Sequence, residues 1–320
     1  MLFFARRPAQ LACVLVAATL VGGCGGGSSG GPRARPLVGV ALLTQTHAFY
    51  KDLEDALRKE AAAHNVDLAV VSCEMDPARQ ASQIEDFVSE HVDAILAAPC
   101  DSSAIVPYLD KATGAGIPVF TADIAARGGS VVSHVASDNV GGGRLAARAL
   151  AERLGGKGDV IVIDHPEVAS VQDRTRGFDE EIAKHPGIRV VARPSASGQR
   201  ARAMAVMEDM LQAHRGLRGI FAINDDSALG ALSVLEAAKR RDVVIVGFDA
   251  TTEAQDAIRR GSALVADVAQ HPAEIGVAAM RAIADHFAGR PVEPVIAVPV
   301  SLVTAETLAG ATPAAGAPAR

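Results

Sequence analysis

Polar residues directly follow several apolar runs of the chain, and their types suit the binding of hydroxyl groups. These residues are Asp123, Asn224, Asp249 and Gln270, which follow the runs 118–122, 219–223, 243–248 and 264–269. A carboxylate accepts two hydroxyl hydrogens at once, whereas Asn and Gln amides both donate and accept. Because ligands of open α/β sheets lie beyond the carboxyl ends of the strands, this pattern predicts a site for a polyhydroxylated ligand.

Further side chains could complete such a site. Arg174 offers a planar fork of five N–H donors to ring and hydroxyl oxygens. Flat apolar faces for the C–H side of a sugar come from Phe49, Tyr50 and Phe248. His47 is a weaker candidate, since a lone histidine is more often an ordinary loop residue.

Each candidate also has a structural alternative. An Asp after a strand is often a helix cap. Phe49 could belong wholly to the apolar stripe of its helix, and Arg174 could be a surface partner of Asp173 or Asp179. The coincidence of several polar residues at strand ends favours the binding interpretation.

Other candidate motifs of the chain lack the spacing that their chemistry requires. Gly155–Gly158 lacks the Ser/Thr that follows the lysine of a phosphate loop, and it precedes a strand, which indicates a turn. Gly141–Gly143 lacks dinucleotide-site spacing and is interpreted as backbone freedom at a strand-to-helix junction. The nine histidines have no metal-ligand spacing. We therefore predict no cofactor, no metal and no catalytic residue.

The elements that must position these residues alternate in type from Leu37 onward. Strand candidates are 37–43, 68–71, 94–98, 118–122, 131–136, 160–163, 188–192, 220–223, 243–248 and 264–269. Helical stripes lie between them, for example Phe49, Leu53, Ala56 and Leu57, and Ile84, Phe87, Val88 and His91. This alternation predicts an α/β fold, and so many parallel strands predict two doubly wound lobes. Asp226-Ser227 is predicted to begin a further helix.

The ends of the chain suggest export and anchoring. Arg6 and Arg7 precede an apolar run over 11–20 that is too short to span a bilayer comfortably. Residues 21–24 resemble the lipobox of bacterial lipoproteins; the alternative is an ordinary signal peptide with an incidental Cys24. The predicted segments are a lipoprotein signal peptide over 1–24 with lipid on Cys24, a flexible tether over 25–36 and a disordered tail over 309–320.

Composition narrows the remaining possibilities. A net charge of −6 without a basic cluster argues against a nucleic-acid surface, and no later apolar run reaches membrane-spanning length. We expect an exported protein, held at the periplasmic or outer face of the cytoplasmic membrane through lipid alone. Of the four cysteines, Cys73 and Cys100 remain in the mature body; a disulfide is permitted, but two buried thiols are expected.

Three stretches resemble bacterial ribose-binding proteins, within the type I periplasmic sugar-binding family: 131–140, 221–232 and 246–249. The resemblance covers 37–304 and implies two lobes joined by three hinge crossings near Ser137, Gln270 and Pro299. It implies lobe 1 over 37–137 with 271–299, and lobe 2 over 138–270 with 300–308. It also implies a monomer that delivers a sugar or polyol to an ABC transporter permease. The family's ligand contacts fall on Phe49, Tyr50, Asp123, Arg174, Asn224, Phe248, Asp249 and Gln270.

Departures from the ribose pattern favour another sugar or polyol. Ile124 stands where ribose binders carry Arg, Gly198 where they carry an aromatic residue, and His47 where they carry Asn. Alternatives are a sensor that feeds a chemoreceptor or signalling partner, and a carbohydrate-active enzyme using Asp123 and Asp249. A repressor-type regulator should begin with a helix-turn-helix, where this chain has a leader.

Overall fold

The computed structural model describes residues 34–310. The predicted signal peptide, Cys24, most of the tether and residues 311–320 lie outside the described residues. Twelve strands form two six-stranded sheets. The strands are β1 Leu37–Leu42, β2 Asp67–Ser72, β3 Ala94–Ala97, β4 Val119–Ala122, β5 Ser133–Ser137, β6 Lys157–Ile163, β7 Gly187–Ala192, β8 Leu217–Ala222, β9 Val244–Asp249, β10 Leu264–Ala269, β11 Val295–Val298 and β12 Ser301–Thr304.

Each sheet belongs to one lobe. Sheet 1, in the order β11-β5-β4-β3-β1-β2, is parallel throughout, and sheet 2 has the order β12-β10-β9-β8-β6-β7. In sheet 2 only β12 runs antiparallel, against β10. The predicted fold class, two doubly wound α/β lobes with a three-crossing hinge, is confirmed.

Ten helices of the described region cover the sheets and bury the strands from both faces. They are α1 Ala48–Ala63, α2 Pro77–Ser89, α3 Val106–Gly114, α4 Asn139–Arg153, α5 Ala169–Ile182, α6 Arg200–Ala213, α7 Asp225–Ala237, α8 Thr252–Arg259, α9 Pro272–Phe287 and α10 Ala305–Gly310. Burial on both faces explains why the central strands are continuous apolar runs; Val160 to Ile163 are all fully buried.

The chain passes between the sheets three times. It leaves sheet 1 after β5, returns after β10 through Gln270 and His271, and leaves again after β11 through Pro299 and Val300. Helix α9 packs on α1 of lobe 1, where a Cβ at Gly276 would lie 2.9 Å from the Leu53 carbonyl oxygen. These connections place the carboxyl ends of both sheets opposite each other.

Several local predictions are wrong. Strands β11 and β12 were missed, because a run of four residues is too short for periodicity to identify a strand, even where it is apolar throughout, as in β11. His91 is exposed and lies beyond the end of α2, so it is not on the helix stripe. Ala309 and Gly310, predicted as part of the tail, belong to α10, and the rest of the predicted tail lies outside the described residues.

The paired cysteines and the glycine run also differ from expectation. Cys73 and Cys100 form a disulfide between the ends of β2 and β3, which flank β1 and bring both side chains beside Leu43. Gly141 to Gly143 have no positive φ and lie inside α4. They serve close packing instead: a Cβ at Gly143 would overlap the Arg174 carbonyl oxygen of α5.

Candidate functional site

A cavity lies between the carboxyl ends of the two sheets. It leaves about 50 Å³ for the centres of water-sized atoms. Eight of the nine predicted site residues line it, namely His47, Phe49, Tyr50, Asp123, Arg174, Asn224, Asp249 and Gln270. The remaining lining residues are Leu43, Thr44, Met75, Ile124, His165, Val168, Ser170, Val171, Gly198 and Ile223.

Asp123 is the buried carboxylate of lobe 1. It follows β4 with a φ of 65°, and its Oδ2 accepts a hydrogen bond of 2.6 Å from the Tyr50 hydroxyl. Its Oδ1 is buried and has no partner among the described residues. Burial raises the pKa of Asp123 to about 6, although Arg174 and the Tyr50 hydrogen bond act in the opposite direction. Asp123 is therefore no helix cap, and it presents a free acceptor.

Asp249 is the corresponding carboxylate of lobe 2. Its Oδ1 accepts a 2.6 Å hydrogen bond from Gln270 Nε2, and its Oδ2 lies 3.3 Å from the Asp225 amide nitrogen. His47 Nε2 of lobe 1 lies 3.4 Å from the same Oδ2. His47 Nδ1 accepts from the Phe49 amide at the start of α1, so the hydrogen of a neutral ring is on Nε2. The Oε1 atom of Gln270 is a second buried acceptor without a partner in residues 34–310.

Arg174 is buried and held from several sides. Its Nε donates to Asn139 Oδ1 at 2.8 Å and its Nη1 to the Ile223 carbonyl at 2.7 Å. The guanidinium carbon lies 4.0 Å from the centre of the Phe248 ring. These contacts leave Nη2 without a protein hydrogen bond in the described region. The surface ion-pair alternative is wrong, since Asp173 and Asp179 pair with other arginines.

Phe248 is the predicted site residue that does not line the cavity. It is fully buried on β9, behind the Arg174 guanidinium and against α4, where a Cβ at Gly142 would lie 2.7 Å from its ring. The structure thus gives Phe248 a supporting position. Its side chain restricts Arg174 through packing and a cation–π contact.

The Asn224 side chain has two roles, one at the start of a helix and one at the cavity wall. Its Oδ1 accepts from the Ser227 amide and caps α7, so the predicted helix start at Asp226-Ser227 is wrong. Its Nδ2 donates to the Gly198 carbonyl at 3.0 Å. Gly198 has a φ of 65° and leaves the cavity wall open where a side chain would otherwise project.

His165 was missed by the sequence prediction. It lies two residues beyond β6, at the carboxyl edge of sheet 2. A search for polar residues just beyond strand ends could therefore have found it. The side chain is buried, and a Cβ at Gly198 would lie 3.4 Å from its Nδ1. Burial lowers the pKa of His165, which keeps the ring neutral at neutral pH. It is the one ring among the lobe 2 residues that line the cavity.

Direct hydrogen bonds join the lobes beside the cavity. Ser102 Oγ, in the loop after β3, accepts from the Ala169 amide of α5 at 2.8 Å. The Ser102 amide donates to the Glu167 carbonyl at 3.1 Å, and Arg127 of lobe 1 donates to Gln172 of lobe 2. With the His47–Asp249 contact, these bonds define a closed arrangement.

Neither a metal cluster nor a membrane-spanning helix is present in the described part of the chain. Within residues 34–310, no three His, Cys, Asp or Glu side chains are grouped to hold a metal ion. No helix in that range has the length and apolar character needed to cross a bilayer.

Comparison with known proteins identifies the fold and its family. Residues 38–291 match the model of the periplasmic binding protein domain. A ribose import binding protein of Bacillus subtilis is 35% identical over 87% of this chain and 90% of its own length. A solute-binding protein of Mycobacterium smegmatis with bound glycerol superposes with a TM-score of 0.82 at 31% identity, over 86% of this chain and 96% of its own.

A further solved structure is similar to the same extent. The myo-inositol-binding protein of Caulobacter, bound to myo-inositol, has a TM-score of 0.82 at 28% identity, over 88% of this chain and 97% of its own. The family model covers most of the chain and includes both sheets except their last strands. The chain therefore belongs to the periplasmic binding protein family.

Proposed function

We propose that the protein is an extracytoplasmic solute-binding protein that captures a monosaccharide or related polyol between its lobes and delivers it to an ABC importer. The observation that carries the proposal is the pair of buried acceptors, Asp123 Oδ1 and Gln270 Oε1, without partners in residues 34–310. Leaving a buried acceptor unpaired costs about 1–3 kcal/mol. Hydroxyl groups donated from the cavity would satisfy both.

The other walls suit the remainder of such a ligand. Arg174 Nη2 supplies a charged donor, and Asn224 supplies an amide on the same wall. Phe49 and Tyr50 on one side and His165 on the other provide rings for C–H faces. Each lobe contributes both polar and apolar groups, which supports binding by lobe closure.

The size of the closed cavity limits the ligand. The small space between the closed lobes suits one sugar ring or a shorter polyol. Ile124 cannot donate the hydrogen bonds of an Arg side chain, so weak binding of ribose is expected.

The proposals for export, lipid anchoring and the partner protein rest on the sequence. We infer a lipoprotein signal peptide, acylation of Cys24 and a monomeric mature body that docks on a permease in its closed form. Replacing Cys24 by Ala should release the protein from membranes, because acylation provides most of the membrane affinity. Delivery to a chemoreceptor is the alternative, and it would leave solute uptake unchanged when the protein is deleted.

The experiment is a binding screen with purified protein. Pentoses including D-ribose, hexoses, xylitol, glycerol and myo-inositol are tested by thermal shift and then by calorimetry. We expect saturable binding of at least one compound, weak binding of D-ribose, and no product from aryl glycosides. Steady release of product would make the protein an enzyme, and absence of binding to every class would refute the proposed function.

A further inference from the structure

The turn that carries Asp249 has an unusual backbone. Asp249 has a φ of 118° and Ala250 a φ of 54°. Residues with a Cβ rarely adopt such angles, and they persist only where the surrounding structure holds them. Asp249 lines the cavity, so whatever holds this turn also positions a group of the binding site.

Two buried carboxyl groups hold the turn. The Ala250 amide donates to Asp267 Oδ1 at 3.1 Å, and the Thr251 amide donates to Asp225 Oδ2 at 2.7 Å. Asp267 is 0% and Asp225 1% exposed. Asp267 projects from β10 and Asp225 begins α7, so two separate elements of lobe 2 clamp the residues after β9.

The remaining oxygen of each carboxyl group lacks a hydrogen-bond donor. Asp225 Oδ1 and Asp267 Oδ2 are buried without a partner in the described region, and the two side chains meet at the same turn through their bonds to Thr251 and Ala250. Two ionised carboxylates cannot bond to each other, since both are acceptors only. One proton between them supplies the missing donor. A Cβ at Gly247 would overlap Asp267 Oδ2, so glycine there makes room for the carboxyl group.

We propose that Asp225 and Asp267 are a positioning pair that shares one proton and holds the turn 249–251 so that Asp249 faces the bound sugar. The identity of the bound compound rests on the proposed function, whereas the pair itself does not. Burial, and then the charge of Asp225, raises the pKa of Asp267 well above its usual range. Burial and the charge of Asp249 raise the pKa of Asp225.

Charged groups near the pair do not replace the proton. Asp249 adds a further negative charge from β9. The charged and titratable groups around the adjoining surface of Asp225 are His47, Lys51, Arg200, Asp226 and Glu253. Arg200 is already bound to Asp226 and Glu253. No cationic side chain of residues 34–310 hydrogen-bonds to Asp225 or Asp267.

The pair predicts a loss of order at alkaline pH. A group whose pKa is raised by folding stabilises the fold at low pH, and that contribution is lost as pH rises toward the folded pKa. Above that point two negative charges face each other, and their repulsion pushes the carboxylates apart and away from the turn, although an ionised oxygen is by itself the better acceptor for an amide. Asp249 should then lose its position, and sugar affinity should fall.

The test uses the mature protein and three variants. Asp267→Asn keeps the Oδ1 acceptor for Ala250 and donates from Nδ2 to Asp225, so it reproduces the protonated pair without titrating. Asp267→Ala removes the pair, and Asp256→Asn is a matched control on the exposed side of α8. Amide hydrogen exchange gives the protection factors of Ala250 and Thr251 between about pH 6 and pH 10. D-ribose and myo-inositol are titrated over the same range.

We expect protection of both amides to fall at least tenfold at alkaline pH in wild type and the control, and to stay constant in Asp267→Asn. Affinity for whichever probe binds should follow the same pattern. Identical pH profiles for wild type and Asp267→Asn would overturn the proposal, as would full protection in a folded Asp267→Ala. If neither probe binds the wild-type protein, the result counts against the proposed binding of these two compounds only. The hydrogen-exchange data still decide whether the carboxyl pair holds the turn.

Discussion

Asp123 should make ligand binding depend on pH in the acid range. The pKa of Asp123 is raised to about 6. Its Oδ1 atom has no protein partner in the described region, and in the ionised carboxylate this atom is a free hydrogen-bond acceptor. A sugar hydroxyl that donates to Oδ1 favours the carboxylate. Binding should therefore release a proton at pH 5 to 6, and affinity should rise as pH rises.

The magnitude follows from the single titration. If the sugar binds only the ionised form, the apparent dissociation constant is multiplied by 1 + 10^(pKa − pH), with the pKa of about 6 for Asp123. The factor is roughly 11 at pH 5 and roughly 1.1 at pH 7, so affinity should improve about tenfold. Tyr50→Phe removes the hydrogen bond that favours the carboxylate, and it should shift this rise to higher pH.

Calorimetry of the best-binding panel compound at pH 5, 6 and 7 checks this prediction. Buffers of different ionisation enthalpy count the protons released. Asp123→Asn should bind about 10- to 100-fold more weakly at pH 7 and lose the pH dependence. A wild-type affinity that is flat over this range refutes the reasoning, and so does a slope that survives in Asp123→Asn.

Further predictions concern the support of the site and the fold. Arg174→Lys should weaken sugar binding on the order of 30- to 1000-fold by calorimetry, because the fork to Asn139 and Ile223 is lost, while Arg176→Lys should not. Gly143→Ala should destabilise the protein by about 1–3 kcal/mol in urea unfolding, whereas Gly114→Ala, with open space around it, should not. Reduction of Cys73–Cys100 should lower the free energy of unfolding by about 3.6 kcal/mol for a separation of 27 residues; an unchanged urea midpoint would contradict the pairing.

The regular part of the fold could be predicted because its signal is local. Central strands such as β6 and β9 are continuous apolar runs, and the stripe of α1 repeats at helical spacing. Strands β11 and β12 have only four residues each, so their short runs cannot be assigned from periodicity, although β11 is apolar throughout. The disulfide was not predictable either, because it depends on which strands are neighbours in sheet 1.

The site residues that could be predicted from the sequence are those that lie at the ends of strands. Asp123 and Gln270 follow strands, Asp249 is the last residue of β9, and all three line the cavity. Which face of β9 meets the cavity depends on three-dimensional packing, and this is why Phe248 lies behind Arg174. The carboxyl pair was missed because Asp267 lies within a strand, where an isolated acid gives no hint of the partner that buries it.

The start of α5 ties the stability of a helix to the position of the opposite lobe. Val168, which precedes the helix, has no capping side chain, and the first amide of the helix, at Ala169, is satisfied by Ser102 of lobe 1. Opening the lobes exposes that amide to water and leaves the first turn of the helix free to fray. The lifetime of a closed complex should thus depend partly on a protein–protein hydrogen bond beside the cavity, namely on how fast Ser102 of lobe 1 releases the first amide of a lobe 2 helix.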